Sequence, residues 1–75
     1  MQYTYKILLQ KEPEGGFTVT VPSLPGCITY GEDVDEAIAM AKEAIALYLE
    51  EMQERGEEIR DNSDTLEYSL QLQIA

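Results

Sequence analysis

The chain has 75 residues, 44% of them hydrophobic, with fifteen Asp and Glu against five Lys and Arg, a formal charge of −10. That length holds one small domain, residues 1–75, and that charge argues against non-specific nucleic-acid binding, which needs clustered cations to neutralise phosphate. With no histidine and a single cysteine, the sequence has no His metal ligand, no Ser-His base and no internal disulfide.

In chain order, residues 2–11 alternate Tyr3, Tyr5, Ile7 and Leu9 with Thr4, Lys6 and Gln10, a strand pattern that Leu8 interrupts. Glu12-Pro13-Glu14-Gly15-Gly16 is a turn, because proline fixes φ and glycine tolerates positive φ. Phe17, Val19 and Val21 alternate with Thr18 and Thr20, so 17–21 is a second strand and the two form a hairpin. Pro22 and Pro25 remove two ladder donors and make Pro22-Ser23-Leu24-Pro25-Gly26 a loop. Residues 27–30 form a short third strand that Gly31 ends.

Asp33 with Glu36 three residues on has the spacing of a capping box, and acids suit the positive helix end. Val34, Ala37, Ile38, Ala41, Ala44, Ile45, Tyr48, Leu49 and Met52 then recur at three- and four-residue steps, one continuous apolar face. Gly56 is the expected stop, so the helix spans about 34–55. After a polar connection, Leu66, Tyr68, Leu70, Leu72 and Ile74 alternate with Glu67, Ser69, Gln71 and Gln73, which predicts a last strand over 65–74.

The order β-β-β-α-β predicts an α+β fold. Its four-stranded mixed sheet would have the order 3-2-1-4, with the long helix packed on one face. The other face would show Thr4, Lys6, Gln10, Thr18, Thr20, Ser69, Gln71 and Gln73, polar and nearly uncharged. No apolar run approaches a bilayer span of about twenty residues. Met1-Gln2-Tyr3-Thr4-Tyr5 lacks the basic start of a signal peptide, so a cytoplasmic location without membrane attachment is expected. So small a core makes self-association, as dimer or tetramer, an expected source of further burial.

The residues offer little chemistry. A metal-dependent nuclease needs acids converging from strand ends as well as a helix. The first three strands supply no acid, and the periodicity that buries the helix's apolar face turns its acids outward. Cys27 has nothing basic within fourteen positions, which argues for a small buried thiol over a nucleophile. Gly15-Gly16 and Gly26 lack the following Lys-Ser/Thr of a phosphate loop. No catalytic residue, metal ligand or cofactor is expected.

Charge is lopsided. Residues 1–31 sum to zero, whereas residues 32–67 hold thirteen acids against Lys42, Arg55 and Arg60. On the helix, Glu36, Met40, Glu43, Leu47, Glu50 and Glu54 follow steps of four and three, an outward stripe that mixes acids with two apolar side chains. Acids steer the encounter with a basic protein while apolar burial supplies affinity, so this stripe is the candidate partner-binding surface.

The run from Gly16 to Gly31, with Pro22-Ser23-Leu24-Pro25-Gly26-Cys27 at its centre, then Asp35-Glu36-Ala37 and Ala41-Lys42-Glu43-Ala44, resembles the HicB antitoxin family. Pro22, Leu24, Pro25, Gly26, Cys27, Gly31, Glu36 and Ala37 carry the match. The resemblance implies a partial RNase H-like fold, non-enzymatic action, dimers or larger oligomers, and a partner. That partner would be a small basic HicA-type toxin that cleaves mRNA, whose catalytic site HicB-type proteins block. Many members carry a further helix-turn-helix or ribbon-helix-helix segment that binds operator DNA; these 75 residues hold none, and direct nucleic-acid binding is not expected. The alternative is an orphan homo-oligomer without a toxin.

Overall fold

The structure is a computed structural model that describes residues 2–74, so Met1 and Ala75 lie outside it. Glu12 to Gly16 turns the chain between β1 (Leu8–Lys11) and β2 (Phe17–Thr20), with Gly15 N–H donating to Glu12 O and Glu12 N–H to Gly16 O, both at 3.0 Å. β3 (Ile28–Gly31) follows the proline loop, and α1 (Val34–Glu54) closes the ordered elements. The sheet is antiparallel in the order β1-β2-β3, with Leu9 opposite Val19 and Val19 opposite Thr29.

The helix begins and ends where its chemistry dictates. Asp33 has extended backbone and its Oδ1 accepts from Glu36 N–H at 2.8 Å, while Glu36 Oε1 accepts from Glu32 N–H at 2.7 Å. The reciprocal cap thus reaches one residue further back than the usual box. At the other end, Gly56 takes φ +72°, its N–H donates to Gln53 O and that of Glu57 to Met52 O, the paired bonds of a left-handed glycine stop.

α1 packs over β3 and β2, and the contact is close because Gly31 has no side chain: a Cβ there would collide with the backbone of Ala37. Val19, Ala37 and Ala41 form one buried cluster, flanked by Ile7, Leu9 and Phe17. Val21, Leu24 and Cys27 form the second, under Tyr5, Ala44, Ile45, Tyr48, Leu49 and Met52. The predicted apolar helix face is therefore largely the packed one. Its first members depart from that reading: Val34 and Ile38 remain exposed.

The four-stranded mixed sheet of order 3-2-1-4 is not what forms. Among the described residues the sheet has three strands, and residues 65–74 belong to none. The first strand is also shorter than the expected 2–11. β2 stops at Thr20 because Pro22, the next residue that would face the first segment, has no N–H to donate, so residues before Leu8 lose their ladder partner. The returning chain fills that place: Asn62 N–H donates to Thr4 O at 2.7 Å, Thr4 N–H to Asp61 Oδ2 at 2.8 Å and Lys6 N–H to Asn62 Oδ1 at 3.0 Å. Asn62 Nδ2 also donates to Ser23 Oγ at 2.7 Å, joining the first segment to the loop. Alternation specifies a strand with one apolar face but not the edge it will pair with, which is why the sequence misplaces the tail.

Beyond this clip, Leu66, Tyr68, Leu70, Leu72 and Ile74, expected to face inward, are 76 to 95% exposed. The radius of gyration is 14.4 Å, against about 11 Å for a compact chain of this length. The tail is an arm standing out from the body.

The outer sheet face also differs from expectation. Leu8, Ile28 and Tyr30 are exposed on it beside Thr18 and Thr20, so it carries an apolar row.

Candidate partner-binding surface

The helix places Glu43, Glu50 and Glu54 in solvent, with Leu47 among them at 63% exposure. Four side chains of the predicted stripe are thus free on the helix surface turned away from the sheet. The other two differ. Met40 is half-buried, and the Glu36 carboxylate is engaged at the helix cap. The surface that can meet a partner runs from Glu43 to Glu54.

Its electrostatics are one-sided. Arg55 donates to Glu57 Oε2 at 2.7 Å and lies 4.0 Å from Glu51; Arg60 pairs with Glu58 at 3.1 Å. The Arg55 hydrogen bond holds the Glu57 carboxyl below its ordinary value and raises the guanidinium. These pairs sit past or at the end of the helix, so the cations do not neutralise Glu43, Glu50 or Glu54. Lys42 lies on another flank, against Ile38 and Ile45.

The residues of the proline motif build the frame behind this surface. Leu24 N–H donates to Val21 O and Cys27 N–H to Leu24 O, both at 2.9 Å, folding the loop so that Leu24 and Cys27 enter the core while Pro22, Pro25 and Gly26 face solvent. Tyr48 O–H donates to Pro25 O at 2.8 Å, fixing α1 to the loop. Gly31 and Ala37 form the close crossing described above. Burial pushes the Cys27 thiol up from its ordinary value, which suppresses the thiolate.

Among the described residues no three His, Cys, Asp or Glu side chains converge as a metal site would require. No described helix is long and apolar enough to cross a membrane. What sequence reasoning missed is the clip: Asp61 accepts from Thr4 and from the Ser63 N–H and Oγ, which together hold its carboxyl below the ordinary value. Tyr5 O–H donates to Arg60 O at 2.6 Å, and burial, with the Asp61 charge behind it, raises that phenol. Short polar side chains that hydrogen-bond nearby backbone are the one signal that marked Asp61 and Asn62.

This hairpin, proline loop, short strand and capped helix, with an acidic surface outside, make up a small α+β domain. Residues 5–73 match the family model described as HicB-like antitoxin of bacterial toxin-antitoxin system, and the chain belongs to that family. Relatives include the UPF0150 protein Ta0767 of Thermoplasma acidophilum, 40% identical over 83% of this chain and 91% of that protein. A UPF0150 protein of Archaeoglobus fulgidus is 48% identical over 61% of this chain and 67% of its own length. A 14.9 kDa protein of Haemophilus phage HP1, from its rep-hol intergenic region, is 38% identical over 85% of this chain but only 47% of its own length. Membership of an antitoxin family implies a toxin as the class of partner.

Proposed function

We propose that this protein is a non-enzymatic antitoxin that binds a small basic HicA-type ribonuclease and covers its RNA-binding surface. The observation that supports the reading best is the exposed row Glu43, Leu47, Glu50 and Glu54, acids around a solvent-facing leucine on a helix held rigidly by its caps and by Gly31. A surface that binds polyanionic RNA is cationic, so a charge of −10 concentrated on one side competes for the same groups. Leu47 supplies apolar area at the centre of the contact, and Glu36 and Met40 lie at its margin. The cytoplasm, where mRNA is cut, is the place of action.

Co-expression with a HicA-type toxin from an adjoining reading frame tests the reading. Wild-type protein relieves the growth arrest that the toxin causes, and the double variant Glu43→Lys, Glu50→Lys fails to do so while remaining folded. Relief unaffected by the charge reversal refutes this surface as the contact. The exposed arm supports a second reading, an orphan homo-oligomer; it is preferred if no adjoining frame encodes a small basic protein.

A further inference from the structure

We infer that the outer face of the sheet is a second docking surface for the basic toxin. An apolar patch of the toxin seats on Leu8, Ile28 and Tyr30, and one of its Lys or Arg side chains reaches the acids beside Tyr30. The inference rests on the toxin reading and extends it to the side of the domain that α1 leaves uncovered.

The apolar strip is built by the sheet register. Leu8, Thr20 and Ile28 lie side by side across the three strands, and Tyr30 follows two residues on from Ile28, opposite Thr18. All three large side chains stand exposed, and Leu66 comes in beside Leu8 at one end. Lys6 and Glu67 stand at that same end with opposite signs, so the strip itself carries no charge. Single apolar side chains on a surface are ordinary, but a contiguous row that ends in an aromatic ring has the composition of an interface.

Charge identifies the occupant. At Tyr30 the strip opens into a cavity of about 470 Å³ beside the hairpin turn, where Glu12, Glu14 and Glu32 are the charged residues. None of the three is in the ion pairs formed among the described residues, which all lie between Glu51 and Arg60. The Tyr30 ring is held in place. Its O–H donates to Gly15 O at 3.0 Å, and the ring fills the space that a side chain at Gly16 would need. Glu12 is likewise set, its Oε2 accepting from Thr18 Oγ1 at 2.7 Å. A cationic side chain entering the cavity meets carboxylates and a positioned ring, which attract it together, whereas an anionic ligand is repelled. Exposed Asp35 and Glu36 carry the same sign round the start of α1 toward Glu43, so both surfaces suit one basic partner.

Cysteine footprinting tests this and separates the two contacts. In a Cys27→Ala background, Ile28→Cys reports on the sheet face and Leu47→Cys on the helix surface, at side chains 62% and 63% exposed. With saturating HicA-type toxin, alkylation of each by iodoacetamide is expected to slow by about tenfold or more. Glu14→Lys, in the exposed turn, is expected to weaken toxin binding by about tenfold with an unchanged urea transition. Protection of Leu47→Cys without protection of Ile28→Cys overturns this inference and leaves the toxin reading standing. Protection of Ile28→Cys in the absence of toxin, rising with protein concentration, overturns it in favour of a second copy. Toxin binding unaffected by Glu14→Lys overturns the role given to the acids, and no toxin binding at all overturns the toxin reading and this extension together.

Discussion

Gly31→Ala tests the contact on which the domain's shape depends. Gly31 is buried at the end of β3, and a methyl group there would meet the N, Cα and Cβ of Ala37, all closer than any real Cβ contact. Gly31 is not among the glycines with positive φ, so alanine has no backbone penalty at this position and the whole effect is steric. Forcing extra volume into a packed core costs about 1–3 kcal/mol. Two of the three atoms struck are backbone in the first turns of α1, which cannot rotate away, so the upper part of that range, about 2–3 kcal/mol, applies. A chain of this length has about 4–11 kcal/mol in total. At about 4–8 °C per kcal/mol for a small domain, the melting temperature falls by about 10–20 °C. Circular dichroism at the helix band through thermal and urea transitions reads this, with an unchanged urea slope placing the effect in the native state. A variant melting within about 2 °C of wild type would show that α1 does not press on β3 as described.

Three further outcomes follow from particular groups. The folded Asp61 carboxyl is depressed by Thr4 N–H and Ser63, so its contribution is present above the unfolded pKa and lost as pH falls through the folded one. Hydrogen exchange at Thr4 should therefore accelerate below about pH 4, and Asp61→Asn should remove that acid limb. Tyr48→Phe deletes the bond to Pro25 O and should lower stability by about 0.5–1.5 kcal/mol in urea, with no change in mass by light scattering. Cys27 should react slowly with an aromatic disulfide reagent in native buffer and promptly in denaturant; prompt native reaction would contradict its burial.

The helix was the most legible part of the sequence, since its apolar periodicity, Asp33 cap and Gly56 stop all specify the same limits and the structure places them there. The hairpin was legible for the same reason: turn residues and alternation agree. The arm shows where local pattern stops being informative. Leu66 to Ile74 reads as a strand at every position, but its partner is decided by how Asp61 and Asn62 attach the chain to Thr4 and Lys6, and no periodicity encodes that. Gly31 was read as a strand end; that it also admits Ala37 is a property of two elements meeting. Of the proposed contact stripe, Leu47 and the acids Glu43, Glu50 and Glu54 are exposed as the wheel implied. Met40 is half-buried because it lies toward the edge of the packed face, where the wheel's resolution is poorest.

On the proposed function, an acidic helix surface competes with RNA for a basic toxin. RNA cleavage by a HicA-type ribonuclease, titrated with this protein at about 0.05 M and about 0.5 M salt, tests this most directly. Exposed charge attraction is screened across that range, so inhibition near one-to-one stoichiometry at low salt should weaken at least tenfold at high salt. Inhibition equally tight at both, or none at either, would contradict the claim.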